Sequence, residues 1–383
     1  MSSNTIKVTC ITGTRADYGH QLPLFRKLMA NRSFDFKLIV TGSHLVKEFG
    51  HSIDLIRQDN IPIYAELPIL DNDDSSFGIS MATSRALAKF AECLKDFKSD
   101  IMIVFGDRYE IFAAAQAALF MNIPMVHICG GDITEGAYDN SIRHNLTKMS
   151  SLHFPSNEKA KTRIISMGEV ATNVVDVGSL CIEMIDETET LSKKELELAL
   201  DFEFKEKNIL MTFHPETLGS RDVVEDLSII LDSLDNFSDT GIIITKPSLD
   251  VSGKILIKKI EEFAASREHV RVFSSLGQVK YYSLLRVVDM VFGNSSSGIY
   301  EVPSFGIPTV NVGDRQKGRM TADSVIHCPL DSGEISKAIG KAFSMNCSEV
   351  MNPYGDGLTS GKMIDILLEK ITEIKKRKVE HFD

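Results

Sequence analysis

Short β-branched runs alternate along the chain with stretches whose apolar positions recur at helical spacing. Lys7–Gly13 reads as a strand, followed by a helix over Gly19–Ala30 and a strand at Asp35–Thr41. Over Ala82–Phe97 the residues Ala86, Leu87, Phe90, Ala91 and Leu94 share one helical face. Strand Ile101–Phe105, helix Ile111–Met121, strand Met125–Ile128, helix Ser141–Met149 and strands Leu152–Pro155 and Val174–Val177 follow. IMIVF (101–105) and VHIC (126–129) are almost wholly apolar. Such strands are buried on both faces, as in a parallel sheet covered by helices.

The alternation stalls over Glu187–Lys207, which is dense in Glu, Lys and Leu. It then restarts with strand Asn208–Phe213, helix Val223–Leu234, strand Gly241–Thr245, helix Gly253–Ala265 and strand Val270–Phe273. Helix Gly277–Leu285, strand Asp289–Phe292, helix Ser297–Ser304, strand Thr309–Val312 and helix Gly333–Phe343 complete the series. Two βαβ series of similar length predict an α/β protein with two Rossmann-like, doubly wound domains facing across a cleft. The expected divisions are 1–177, 178–359 and a terminal segment 360–383, whose helix, about Ser360–Arg377, is long enough to return over the first domain.

Composition narrows the class. At 383 residues and 43% apolar, the chain has material for two cores. Its net charge of −11 speaks against gripping nucleic acid through general electrostatics. The six cysteines (10, 93, 129, 181, 328 and 347) are scattered without a CxxC pair, which argues against a disulfide framework and a cysteine zinc site. The start of the chain lacks the pattern of a signal peptide, and no window approaches a membrane span. A reducing cytoplasm is the expected location, with no membrane partner.

In open α/β sheets, ligands sit beyond the carboxyl ends of strands, so the chemistry is sought there. The first strand is followed by Gly13-Thr14-Arg15-Ala16-Asp17-Tyr18-Gly19-His20. It lacks GxGxxG, which weakens a dinucleotide reading. Arg15 stands where a phosphate or base approaches, or is a structural arginine in a surface loop. Gly106-Asp107-Arg108-Tyr109-Glu110 follows IMIVF. Asp107 there is equally a general acid or base and a helix cap. Gly130 to His144 is the densest polar stretch, with Asp132, and with Asp139 and Arg143 four apart at a helix start. That last pair alone reads as a salt bridge. His127, inside its strand, reads as a satisfied core histidine.

His214-Pro215 closes the strand at 208–213, and no HxH or HExxH accompanies it, so no metal site is supported. Ser295, Ser296, Ser297 and Gly298 form a small-residue loop before a helix, a ready anion site of hydroxyls and amides, and Glu301 falls on the first turn. Arg315, Lys317 and Arg319 would complement a diphosphate beside it, although a basic loop alone is usually just solvated.

The ordered set TGTRADYG, FGDRYE, GGDITEGAYDNSIRH, His-Pro at 214–215, GNSSSGIYEVPSFGIPTVNVG and DRQKGR spans positions 12–319. Together these segments resemble the UDP-N-acetylglucosamine 2-epimerase family, in its hydrolysing branch. The resemblance implies the two-domain architecture of B-type glycosyltransferases, a nucleotide-sugar substrate, no metal and no other cofactor, and a dimer or tetramer. It implies hydrolysis of UDP-GlcNAc to N-acetylmannosamine and UDP through elimination to a glycal and hydration. Relatives with the same chemistry act on UDP- or GDP-linked 2,4-diacetamido sugars. A non-hydrolysing epimerase, a glycosyltransferase of this architecture and a catalytically dead nucleotide-sugar sensor are the rival readings.

Carried over by the resemblance, Arg15, Ala16 and Gly19 line the nucleotide-sugar site, with Asp107 and Arg108 beside the sugar and phosphates. Asp139 and Arg143 match a catalytic carboxylate and its arginine, and His214 a histidine on the diphosphate. Leu276 backs the base with Gln278 near it. Ser295 and Ser296, with Ser297 and Gly298 of the same loop, hold phosphate, Glu301 accepts the ribose hydroxyls and Arg315 supports the diphosphate. Many relatives carry an acidic residue where this chain has Cys129, and Asp132 is the candidate to replace it.

Overall fold

Each of the two βαβ series closes into its own six-stranded parallel sheet in the computed structural model, which describes residues 5–47, 50–71, 73, 75–133, 138–214, 222–247 and 253–376. The first series contains β1 (Ile6–Thr12), α1 (Arg15–Ala30), β2 (Phe34–Thr41), α2 (Ile53–Gln58), β3 (Ile63–Leu67), α3 (Ser76–Phe97) and β4 (Ile101–Phe105). It continues through α4 (Tyr109–Phe120), β5 (Met125–Ile128), α5 (Asp139–Met149), β6 (Leu152–Phe154), α6 (Glu158–Ser166) and α7 (Leu180–Glu187). After α8 (Lys193–Leu200) come β7 (Lys207–Thr212), α9 (Val223–Leu234), β8 (Thr240–Thr245), α10 (Gly253–Ala265), β9 (Val270–Phe273) and α11 (Gly277–Leu285). The chain ends with β10 (Met290–Gly293), α12 (Ser297–Tyr300), β11 (Thr309–Val312), β12 (Val325–Cys328), α13 (Ser332–Phe343) and α14 (Thr359–Lys376).

The sheets run β3-β2-β1-β4-β5-β6 and β12-β11-β10-β7-β8-β9. Both have the doubly wound order, with a topological switch between β1 and β4 in the first and between β7 and β10 in the second. Contacts group residues 5–132, 138–184 and 354–376 into one unit, and Ile133 with 185–353 into the other.

The central strands behave as their apolar runs require. Ile101, Met102, Ile103 and Val104 of β4 are fully buried. Against them lies α4, whose Ala113, Ala114, Ala115, Ala117 and Ala118 are buried. With no side chain beyond Cβ, this helix lets α3 pack closely, and Phe90 and Leu94 of α3 join the same core. The second core is built from Ile209, Met211, Ile242, Ile244 and Phe292 with Leu227, Ile230 and Leu256.

Several elements depart from the expected ones. Val174–Val177 is not a strand: only Val174 bridges His153, after which Asp176 Oδ1 accepts from Gly178 N at 3.0 Å and turns the chain. Edge strands β3 and β12 carry alternating or half-exposed residues, so no apolar run announced them. The helix expected over Ser297–Ser304 is one turn, α12, followed by a 3-10 turn at Val302–Phe305. Pro303 has no N–H to extend α12.

The last helix returns to the first unit. Its Met363, Leu367 and Ile374 are buried, and it packs on α1. At its start Glu183 accepts from Ser360 N at 2.7 Å and Ser360 Oγ at 2.5 Å. At its far end Lys375 pairs with Asp100 at 2.6 Å. No helix among the described residues is long and apolar enough to cross a membrane.

Candidate functional site

The doubly wound order leaves a crevice where neighbouring strands send their connections in opposite directions, and the loops after β1 and β4 flank it in the first sheet. The loop after β1 is fixed by Asp17. Thr14 Oγ1 accepts from Asp17 N at 3.3 Å, and Asp17 Oδ1 accepts from Thr14 N at 2.8 Å, a reciprocal capping box. Asp17 Oδ2 also accepts from Gly13 N at 3.0 Å, and Thr12 Oγ1 donates to Oδ1 at 2.9 Å. Behind them lies buried His44, whose Nε2 is 2.9 Å from Thr12 Oγ1 and Nδ1 2.7 Å from Ser52 Oγ. The cap starts α1 at Arg15, earlier than the expected Gly19. Arg15 and Ala16 therefore stand exposed on the first helical turn, not in a loop. Gly19 faces open space.

The loop after β4 carries Asp107, Arg108 and Glu110. Arg143, 5% exposed, reaches across from α5 and donates through Nη2 to Asp107 Oδ2. Its Nη1 donates to the Asp132 carbonyl at 2.7 Å and lies 3.4 Å from Asn140 Oδ1. The arginine expected to pair with Asp139 in its own helix thus forms its ion pair with Asp107, across 36 positions. Asp139 lies close enough to feel both. Burial raises its pKa and the Asp107 charge raises it further, while Arg143 and Arg108 oppose the shift.

Asp132 is oriented differently. Its carboxylate accepts from Ser156 Oγ and Asn157 Nδ2, each at 3.2 Å, so both oxygens engage the turn after β6. Cys129 adopts a left-handed φ of +62°. His127 is buried, as expected of a core histidine, and burial lowers its pKa to about 3. Its neutral ring donates from Nε2 to the Gly106 carbonyl at 2.8 Å, bracing the residue before Asp107. Residues 134–137 of the third loop lie outside the described residues, as does Pro215.

In the second sheet the flanking loops follow β7 and β10, and buried Asn294 organises both. Its Oδ1 accepts from His214 N at 2.7 Å, and its Nδ2 donates to the His214 carbonyl at 2.8 Å. Its own carbonyl accepts from Arg315 Nη1 at 3.1 Å and Gln316 Nε2 at 2.7 Å. One asparagine therefore joins His214, the serine loop and the basic loop. Asn294 and Gln316 carried no expected role, because an Asn in a Gly-Asn-Ser run reads as an ordinary turn residue.

The serine loop differs from its expected form. With α12 a single turn, its dipole is small, and hydroxyls and individual amides must supply any anion contact. Ser297 N lies 3.4 Å from Ser295 Oγ, and Ser297 Oγ lies 2.5 Å from the Tyr281 hydroxyl. Ser296 and Gly298 complete the turn. Glu301 is at the end of that turn, not its beginning, and its Oε1 accepts from Tyr282 OH at 2.6 Å. Leu276 is buried before α11, and Gln278 Nε2 donates to Thr188 Oγ1 at 3.1 Å.

Arranged in this way, the first unit gathers two carboxylates around one buried guanidinium, a set suited to moving protons. The second gathers hydroxyls, amides and an arginine, a set suited to an anion.

Comparison with known proteins identifies the family of the chain. The profile of a family described as UDP-N-acetylglucosamine 2-epimerase matches residues 26–368. A Campylobacter jejuni protein named GDP/UDP-N,N'-diacetylbacillosamine 2-epimerase (hydrolyzing) is 34% identical over 95% of this chain and 96% of its own. The Escherichia coli polysialic acid biosynthesis protein P7 is 35% identical over 91% of this chain and 90% of its own. A Legionella pneumophila UDP-N,N'-diacetylbacillosamine 2-epimerase (hydrolyzing) is 31% identical over 94% and 95%. The crystal structure of Neisseria meningitidis UDP-GlcNAc 2-epimerase bound to UDP-GlcNAc superposes with a TM-score of 0.82 at 20% identity, covering 95% of this chain and all of that one. This likeness carries the fold.

Proposed function

The chain belongs to the UDP-N-acetylglucosamine 2-epimerase family, in its hydrolysing branch, and from that premise we propose that it hydrolyses a nucleotide-linked 2,4-diacetamido sugar with inversion at C2. The observation that carries the chemistry is Asp139 beside the Asp107–Arg143 ion pair at the switch of the first sheet. The sugar is argued from the relatives. Two at 34% and 31% identity bear diacetylbacillosamine names, which favours that class over the UDP-GlcNAc reading put first in the sequence analysis. UDP-GlcNAc remains the second reading, supported by the 35% identical relative of polysialic acid biosynthesis.

In this reading Asp139 takes the C2 proton while the C1–O bond breaks. Its electron pair leaves with the nucleoside diphosphate, and C1 and C2 become doubly bonded. Ser295, Ser296 and Arg315 hold the departing charge, with His214 beside them. Water then adds its hydroxyl to C1. Asp107, steadied by Arg143, relays the water proton to C2, and Asp139 returns its proton to solvent. Asp132, occupied by Ser156 and Asn157, shapes the loop without entering the chemistry.

The test is a substrate panel of UDP-GlcNAc and the UDP- and GDP-linked 2,4-diacetamido sugars, followed by NMR for free nucleotide and reducing sugar. Turnover is expected to be fastest with a diacetamido sugar. A clear preference for UDP-GlcNAc would replace this reading with the second, and an absence of nucleotide release from all three would end both.

A base must be ionised to act, so kcat/KM is expected to fall as pH drops through the raised pKa of Asp139. Rate profiles of the wild type should therefore show an acid limb above the ordinary aspartate range. A flat profile down to that range would remove Asp139 from the role of base.

A further inference from the structure

Glu110 has no part in the proton transfers above, yet it is fully buried at the switch point, on the first turn of α4. A buried carboxylate is costly unless its oxygens are satisfied. Here Oε1 accepts from Arg108 Nε at 2.5 Å, while Oε2 has no hydrogen-bond partner among the described residues. A cap or dipole partner for α4 could stand in water at far lower cost.

Its surroundings are equally restrictive. Gly13, in the loop after β1, lies directly against the Glu110 carboxylate, so that any Cβ there would collide with Oε1. On Gly13's other side is Gly42, in a left-handed conformation (φ +59°), where a Cβ would press on the Gly13 carbonyl. The carboxylate is thus held between the loops after β1 and β4 with little freedom to move. The Arg108 side chain it anchors is 42% exposed, with its guanidinium 5.6 Å from the centroid of the Tyr109 ring. With Nε committed to Glu110, the outer edge of Arg108 is what remains for an anion. The Arg108 charge also acts on Asp139, opposing the rise in its pKa.

We propose that Glu110 is a positioning residue for the reaction: through the Nε bond it aims the outer edge of Arg108 at the anionic part of the nucleotide sugar. This rests on the reading that the loop after β4 binds substrate. The glutamate touches no substrate atom and acts through Arg108. An arginine held at one nitrogen gives up less side-chain freedom when it binds an anion than an unanchored one would.

A double-mutant cycle tests this with the full chain and the nucleotide sugar selected by the substrate panel. Glu110→Gln keeps the shape and removes the charge, and is expected to lower kcat/KM about tenfold, mainly through KM. Arg108→Ala is expected to lower it at least as much. In the Arg108→Ala background, Glu110→Gln is expected to add almost nothing, because its target is gone. A merely structural glutamate would instead give losses that multiply.

Glu110→Asp guards against a folding defect in the glutamine variant. It keeps the charge on a shorter arm and is expected to recover part of the tenfold loss. Arg108→Ala impaired with both Glu110 variants at wild-type kcat/KM, or losses that multiply, would overturn the positioning role alone. Wild-type kcat/KM in Arg108→Ala would overturn both that role and the substrate-binding reading of the loop.

Discussion

Asp107→Asn is expected to slow formation of the free epimerised sugar by between about a hundredfold and ten-thousandfold, the range found when a positioned acid–base group is lost. The protein should stay folded, because the asparagine carbonyl still accepts from Arg143. The proposed relay places the defect after elimination. The variant is therefore expected to release some nucleotide and to accumulate the unsaturated glycal, visible by NMR as its vinyl proton. Asp139→Asn, by contrast, should stall before any nucleotide leaves. A folded Asp107→Asn enzyme that makes the amino sugar at near-normal rate would remove Asp107 from the mechanism. A block with no glycal would move it to the first step.

Arg143→Met is expected to be the most damaging single change to both stability and rate. It strips Asp107 of its cation, leaves the Asp132 carbonyl without its donor, and removes the contact to Asn140. Breaking a buried ion pair from one side typically costs 3–5 kcal/mol, and the partial exposure of Asp107 argues for the lower end, about 3 kcal/mol. The urea midpoint should fall accordingly, and turnover should fall at least as far as in Asp107→Asn. Any residual activity should show its acid limb at higher pH, because Arg143 is one of the charges that hold the Asp139 pKa down. Arg143→Lys is expected to regain part of the stability and little of the rate, since one ammonium cannot span the three acceptors. An Arg143→Met protein with an unchanged midpoint would contradict this account of the site.

What the sequence could reveal followed from which physical signals are local. IMIVF and VHIC announced buried strands because a strand covered on both faces has no polar position to hide its period. Edge strands β3 and β12 face water on one side and were passed over. Helix starts came out late at α1 and α3, since Arg15 and Ser76 are placed by the caps Thr14 and Ser75 and not by apolar periodicity. Asp107, Asp139 and Arg143 could be named individually from their positions after strands. That Arg143 pairs with Asp107 could not, because it depends on how β4 and α5 are brought together. Asn294 and Glu110 were missed for a related reason. One stands in a Gly-Asn-Ser run and the other on the first turn of a helix, and only packing reveals their partners.

The chain crossing at Gly178 and Gly355 has a consequence for how such a protein can be varied. Ser179 N donates to the Tyr354 carbonyl at 2.6 Å, and Thr359 Oγ1 donates to the Val177 carbonyl at 3.1 Å. The exit from the first unit and the return to it are therefore stitched side by side, and the Glu183–Ser360 contact locks the seam. To the first unit, residues 185–353 are a cassette spliced between two neighbouring points. A replacement whose ends meet that seam leaves the Asp107–Arg143–Asp139 cluster uncut. On the proposed reading, the serine loop and Arg315 travel with the cassette while Asp107, Arg108, Asp139 and Arg143 stay with the frame, so the cassette's share of anion binding can be exchanged by recombination in a lineage or by grafting at the bench.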